Sequence, residues 1–231
     1  MGKLIYHRKT NSLLIPERDP SRITQYIPRS RVVNIKGRTA VQVRLGLDEA
    51  RVLRNLGISA PSPIRYDYTW PSRYPSAMSH QVATSEFLTL YRRSMCLNDP
   101  GTGKTLSVLW ALDYLMLNGH IRKAVVACPK SILGVWRDEC EVHLLYRRKI
   151  VVLKGSRQQK LQLLEQDADI YVLNHDALKT LNKELRARKD IDALVVDEAS
   201  EGFRNAKTAR YEALELILKS NPEMWLWLLT G

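Results

Sequence analysis

From residue 78 onward, short continuous apolar runs alternate with stretches whose apolar positions recur at helical spacing. The runs at 95–97, 124–128, 150–153, 170–173, 193–196 and 224–229 are too short for helices and are bounded by Gly, Pro or charged residues. Each predicts a strand. Between them the spacing predicts helices over 78–93, 104–118, 131–146, 157–165, 176–185 and 206–219, with Gly119 and Pro129 as stops. Apolar runs without alternation belong to strands buried on both faces. Strand–helix alternation then predicts an α/β fold, a parallel sheet with helices on both faces.

The first third reads differently. A short apolar run at 13–16 is followed by a hairpin over 31–35 and 39–45 with Gly37 in its turn. A helix is expected over 48–56, capped by Asp48 and stopped by Gly57. Pro61, Pro63, Pro71 and Pro75 mark 59–77 as an extended linker. Tyr66, Tyr68 and Trp70 alternate within it. In an extended chain they share one side, to pack on a neighbouring domain or to stack a base. The expected domains are a small β-rich module with linker at 1–75 and the α/β lobe at 76–231.

Charge separates the same two regions. The net charge is +12, and residues 1–75 carry fourteen Lys and Arg against five Asp and Glu. That makes the module a candidate polyanion-binding surface, the alternative being a solvated basic face without a partner. Cys96, Cys128 and Cys140 are odd in number and lack metal-ligand spacing, which suits core thiols in a reducing compartment. No apolar run reaches membrane-spanning length, so the expected location is cytoplasmic.

Candidate chemistry begins at 94–105, Ser-Met-Cys-Leu-Asn-Asp-Pro-Gly-Thr-Gly-Lys-Thr. A strand feeds a Gly-containing loop, and a helix starts at Lys104. Without a Cβ, Gly101 and Gly103 let backbone N–H groups turn toward an anion, and the helix start adds further N–H donors. Lys104 supplies a charge for phosphate and Thr105 a hydroxyl for Mg²⁺. The strict phosphate-loop pattern wants glycine at 98, where this chain has Asn98. Asp197-Glu198 ends the apolar run at 193–196 and completes the pattern. Asp197 can hold Mg²⁺, and Glu198 can orient and polarise an attacking water. Lys104, Asp197, Glu198 and Thr230 all fall at the carboxyl ends of predicted strands, where parallel sheets bind ligands.

With these residues in place, 78–231 resembles the first RecA-like lobe of a superfamily-two helicase, most similar to the Swi/Snf-like DNA translocases of phages and bacteria. His80-Gln81 resembles the motif whose Gln reads adenine, an exposed helix residue being the plain alternative for Gln81. The stretch from Asn98 through Asp99, Gly101, Thr102, Gly103 and Lys104 to Thr105 resembles motif I, where the family has Asp at position 98. Pro129, Lys130 and Ser131, with Trp136 downstream, resemble the motif Ia region that touches nucleic acid. A helix N-terminus there favours phosphate, although Ser131 could simply cap the helix. Lys154 and Arg157 are weaker candidates of that kind. Asn174-His175-Asp176 resembles motif Ib, and Asp197-Glu198-Ala199-Ser200 resembles motif II with Ser200 in place of His. Arg204 to Arg210 resembles the stretch after motif II, and Leu229-Thr230-Gly231 the start of coupling motif III. Trp136, Trp225 and Trp227 read as packing residues.

The resemblance implies ATP and Mg²⁺ as cofactors, double-stranded DNA as partner, and ATP hydrolysis as the activity of a two-lobed protein. It also implies a second RecA-like lobe carrying arginine fingers, in the remainder of the protein or in a partner chain. An arginine finger is worth about 10³-fold or more in rate, so this chain alone is expected to hydrolyse ATP poorly. The alternative function is a non-motor DNA-binding or regulatory protein that uses a nucleotide-binding lobe as a docking surface.

Overall fold

Alternation of apolar and polar positions and a glycine turn build the first sheet. The computed structural model describes residues 4–35, 37–71 and 77–231. They form two compact units, 1–68 and 69–231, dividing after Tyr68. The first unit runs β1 (Ile5–His7), β2 (Ser12–Pro16), α1 (Ser21–Thr24), β3 (Arg31–Ile35), β4 (Arg38–Arg44), α2 (Leu47–Asn55) and α3 (Ile64–Asp67). Its strands are antiparallel in the order β1-β2-β4-β3. One face is covered: Leu13, Ile15, Val41 and Val43 are buried, as are Ile23, Leu53 and Ile64 from the three helices.

Three expectations for this region change. Helix α2 starts at Leu47, so Asp48 lies inside the first turn, bonded to Arg51 at 3.0 Å, and caps nothing. The linker is interrupted, because Pro63 pre-sets the backbone for the single turn of α3. Alternation therefore fails for the aromatics. Tyr66 stacks on Tyr6 with ring centroids 3.8 Å apart, Tyr68 is buried, and Trp70 meets Trp110 edge-on at 5.3 Å. Pro75 lies outside the described residues.

The second unit alternates strand and helix: α4 (Ser79–Leu90), β5 (Arg93–Leu97), α5 (Lys104–Leu117), β6 (Lys123–Cys128), α6 (Leu133–His143), β7 (Ile150–Val152) and α7 (Arg157–Glu165). It continues with β8 (Ile170–Asn174), α8 (His175–Thr180), α9 (Asn182–Ala187), β9 (Ile191–Val196), α10 (Ala199–Gly202), α11 (Ala209–Ser220) and β10 (Trp225–Thr230). All six strands are parallel, in the order β5-β10-β9-β6-β8-β7. Every side chain of 124–128 and 170–173 is buried, so both faces of the central strands are covered, as the uninterrupted apolar runs predict. On one face Val125, Tyr171, Leu173 and Leu194 pack with Leu178, Leu185, Leu214 and Ile217 from α8, α9 and α11. This is the expected RecA-like α/β fold.

Helix limits shift where side chains compete for backbone groups. The helix expected over 176–185 breaks at Leu181, and the Asn182 amide donates to the Leu178 and Ala213 carbonyls at 3.3 and 2.8 Å. Helix α11 starts only after Thr208, whose hydroxyl accepts from the Tyr211 N–H at 3.3 Å. Trp225 and Trp227 are core residues as expected, 3% and 1% exposed. All three cysteines are free and buried, and burial pushes the Cys128 and Cys140 thiols up to about 12. Among the described residues no helix is long and apolar enough to cross a membrane.

Candidate nucleotide and nucleic-acid site

Because all six strands are parallel, their carboxyl ends share one edge of the sheet. Along it stand, in order, the loop 98–103 after β5, Thr230 at the end of β10, Asp197 after β9, Pro129 and Lys130 after β6, and Asn174 at the end of β8. Residues expected to handle nucleotide are thus contiguous, and residues expected to touch nucleic acid follow them. With strands about 4.8 Å apart, the series from β5 to β8 spans about 19 Å.

The phosphate loop has the backbone its glycines predict. Gly101 and Gly103 take φ of +77° and +75°, a region that side-chain-bearing residues rarely adopt. Lys104 and Thr105 open α5 directly behind them. The Lys104 ammonium turns back into the loop and donates to the Asn98 carbonyl at 2.7 Å and the Asp99 carbonyl at 3.4 Å. A Cβ built on Gly231 would lie 2.7 Å from that ammonium and 3.0 Å from the Asn98 carbonyl, so Gly231 packs directly on the loop. The Asn98 amide donates to Thr84 Oγ1 at 2.9 Å, tying the loop to α4.

Helix α4 is amphipathic in an unexpected sense. Its buried residues include Gln81, Thr84, Ser85, Glu86 and Thr89, while Phe87 is 39% exposed. Thr84 Oγ1 donates to the His80 carbonyl at 2.9 Å, and His80 Nε2 donates to the Thr102 carbonyl at 3.0 Å. Gln81 is buried, which removes the exposed-residue alternative; its Oε1 accepts from the Met78 N–H at 3.1 Å. Its Nε2 packs so closely on Gly103 that any Cβ there would collide with it.

Asp197 is 4% exposed. Burial pushes its carboxyl above the ordinary carboxylate range, opposed by the Trp136 and Glu198 hydrogen bonds and by the Lys104 charge. Trp136 Nε1 donates to Oδ2 at 3.0 Å and the Glu198 N–H to Oδ1 at 3.1 Å. His175 Nε2 donates to the Asp197 carbonyl at 2.8 Å, and burial holds its imidazole below the usual histidine range. Glu198 sits at φ +50° and ψ +49°, a left-handed conformation that costs a non-glycine residue about 1–2 kcal/mol. Such strain gathers at functional positions. Ser200, the departure from the motif II histidine, still reaches motif III: the Thr230 hydroxyl donates to Ser200 Oγ at 2.6 Å.

The nucleic-acid candidates are less uniform. Lys130 and Ser131 are exposed, in a 3-10 turn that precedes α6. Ser131 makes no capping bond to α6, whose cap position is Ile132, so the simple capping alternative fails. Asn174 precedes α8 and its Oδ1 accepts from Lys160 Nζ at 3.2 Å. Arg157 is committed elsewhere, donating to Glu184 Oε1 at 2.5 Å and to the Thr180 carbonyl at 3.2 Å. Lys154 is exposed. Trp136 and His175 are the residues the sequence undersold. A buried indole needs a hydrogen-bond acceptor, and that rule is the one signal that could have pointed Trp136 at a polar centre.

Among the described residues no group of three or more His, Cys, Asp and Glu is placed to hold a metal. Thr105 and Asp197 are oxygen donors of the kind Mg²⁺ takes when phosphate and water complete its shell.

Comparison with known proteins shows the family and the fold. The SNF2-related domain matches residues 80–231. A Bacillus subtilis (strain 168) protein described as the uncharacterized ATP-dependent helicase YqhH is 25% identical over 171 residues, 74% of this chain and 29% of that protein. The Sulfolobus solfataricus SWI2/SNF2 ATPase core, solved in complex with dsDNA, superposes with a TM-score of 0.58 at 21% identity, covering 72% of this chain and 34% of that one. The structure of that core domain alone gives 0.53 at 20% identity, covering 71% and 33%. The chain therefore spans about a third of the length of these relatives. By its sequence match over 80–231, it belongs to the SNF2-related domain family.

Proposed function

We propose that this chain is the ATP-binding first motor lobe of a two-lobed, DNA-dependent ATPase that translocates on duplex DNA. The observation that carries the reading is the order of residues along the sheet edge, with loop 98–103, Thr230 and Asp197 adjacent and Lys130 and Asn174 next to them. The loop fits a nucleotide, since its two positive-φ glycines leave the backbone open to phosphate. Gly101, Thr102, Gly103 and Lys104 would hold the phosphates, with Asp99 in the same loop. Gln81 would read the base, and Thr105 and Asp197 would hold Mg²⁺. A bound Mg²⁺ would neutralise charge developing on the transferred phosphoryl group. Lys104 leaves the Asn98 and Asp99 carbonyls to pair with phosphate. Glu198 orients and polarises the attacking water. Thr230, beside Gly231, passes the state of the site on through Ser200. Pro129, Lys130, Ser131 and Asn174 hold the DNA backbone, which fixes position without reading sequence.

The second RecA-like lobe, supplied outside these residues, would bring the arginine fingers. The isolated chain therefore turns over ATP slowly. Its buried thiols suit the reducing cytoplasm of a bacterium or a phage-infected cell.

Lys104→Ala tests the reading by equilibrium titration with a fluorescent ATP analogue and with labelled duplex DNA. Nucleotide binding should be lost while DNA binding persists. Loss of DNA binding with unchanged nucleotide affinity would overturn the assignment of the two regions. Turnover by the chain alone at the rate of a complete two-lobed enzyme would overturn the need for a second lobe.

A further inference from the structure

The N-terminal unit lies outside the matched family segment, and one face of its sheet carries exposed arginines around the buried Ala40 and Ser12. Strand register defines that face. Arg31 pairs with Gln42, Gln42 with Leu14, Ile35 with Arg38, and Arg44 with Ser12, so these side chains project together, opposite the buried Leu13, Ile15, Val41 and Val43. Arg31, Arg38 and Arg44 are exposed on it. Among the described residues none of the three is paired with a carboxylate, whereas Arg22 and Arg51 are paired with Glu17 and Asp48. No strand of the sheet contains an Asp or Glu. Between the arginines the Gln42 amide donates to Ser12 Oγ at 2.9 Å, in a polar patch that includes Thr10.

We propose that this open sheet face is a second DNA-binding surface, on which Arg31, Arg38 and Arg44 grip the phosphate backbone of duplex DNA. Charge commits it to a polyanion, and two features select a duplex. The face presents no Phe, Tyr or Trp, since Tyr6 belongs to the opposite side and stacks on Tyr66, so it has no platform for unstacked bases. Arg31 and Arg44 flank Gln42, and Arg38 lies four residues further along β4. At strand rise that is about 13 Å, close to the width of a major groove of about 12 Å, so the two cationic poles reach phosphates on opposite strands. The surface shares its partner with the motor reading but stands on a different unit.

The test is salt-dependent binding of the whole chain to a labelled 30-base-pair duplex and to the matching single strand. Each phosphate contact contributes about 0.9 to the slope of log K against log salt. Neutralising all three (Arg31→Gln, Arg38→Gln, Arg44→Gln) should lower the slope by about 2–3. Between 50 and 200 mM salt the wild-type chain should then lose about 40-fold more affinity than the variant. The triple Lys variant should keep the wild-type slope, and circular dichroism should match in all forms. An unchanged slope would overturn the proposal, as would an equal fall in Arg22→Gln/Arg51→Gln or single-strand binding as tight as duplex binding. Lys130→Gln separates the two readings. If it weakens DNA binding and the arginine triple does not, this surface fails while the motor reading stands. If the wild-type chain binds no duplex, both fail.

Discussion

Trp136→Phe removes one donor from the carboxylate assigned to Mg²⁺ and leaves the ring in place. Trp136 is fully buried and its N–H lies 3.0 Å from Asp197 Oδ2, a carboxylate itself 4% exposed. A hydrogen bond to a charged group contributes about 1.5–3 kcal/mol net. The indole atoms lost leave a void worth about 1 kcal/mol more. The lobe should therefore lose about 3 kcal/mol. Asp197→Ala as the second arm of a double-mutant cycle isolates the bond, because the void contributes to both arms and cancels. The coupling energy should be about 1.5–2 kcal/mol. All five tryptophans, at 70, 110, 136, 225 and 227, lie in the 69–231 unit, so urea unfolding read by their fluorescence reports that unit alone. In parallel, the Mg²⁺-dependent part of nucleotide affinity should fall about tenfold, as when a group supporting a metal ligand is removed. A coupling energy below about 0.5 kcal/mol would refute the reasoning. The Glu198 N–H alone would then hold the carboxylate.

Asp197→Asn should abolish Mg²⁺-dependent nucleotide binding and remove a pH-dependent penalty on stability, while its single amide oxygen can accept from only one of the Trp136 and Glu198 N–H groups. Burial raises the folded-state pKa of Asp197, so the folded chain holds that proton more tightly than the unfolded chain does. Stability falls as pH climbs from the ordinary carboxylate range through the raised value, and the cost is fully present at pH 7. The urea midpoint of the Asn variant relative to wild type should be higher at pH 7 than in acid; a difference that does not change with pH would contradict this sign. Asp113 is fully buried in α5 and accepts from Arg147 at 2.8 Å and Arg148 at 2.6 Å. Asp113→Leu leaves Arg148, whose side chain is only 13% exposed, with Asp169 at 3.6 Å as its remaining carboxylate, and should cost about 3 kcal/mol or about 6–12 °C in Tm. Adding Arg148→Met should recover part of that loss in a thermal melt, and no recovery would refute the account of an under-compensated buried charge.

The parts legible in the sequence are those set by local pattern. The runs at 124–128 and 170–173 are apolar without alternation because both faces of their strands are covered, and that also fixed them as parallel. Lys104 and Asp197 could be placed at strand ends from the same runs. What escaped the sequence depends on contacts between distant segments. The Trp136–Asp197 bond joins residues 61 apart, and Thr230 meets Ser200 across 30. The buried face of α4 escaped for another reason. Thr84 and Ser85 read as surface residues in any apolar periodicity, yet their hydroxyls are satisfied by carbonyls, so burial leaves no group unpaired. Tyr66 was misread because one turn of helix after Pro63 rotates it away from the alternation of an extended chain.

The same polar face would couple the proposed base reading to the proposed phosphate binding. The Ser85 hydroxyl lies 3.0 Å from the Gln81 carbonyl and 2.8 Å from the Ser107 carbonyl, pinning α4 to α5. Asn98 bonds to Thr84, Thr84 to the His80 carbonyl, and His80 to the Thr102 carbonyl, so the circuit leaves the loop and returns to it. Lys104 is outside this circuit. Its ammonium rests on the Asn98 and Asp99 carbonyls, two acceptors that water or a rearranged loop can satisfy once phosphate takes the charge. In the proposed reading, nucleotide binding would exchange the partners of the Lys104 ammonium and keep the frame of hydrogen bonds between loop and α4. Gln81, packed on Gly103, is carried by that frame. The bonds tying the loop to α4 are short, 2.9 Å from Asn98 to Thr84 and 3.0 Å from His80 to the Thr102 carbonyl, and they link the position of the phosphate loop to that of Gln81.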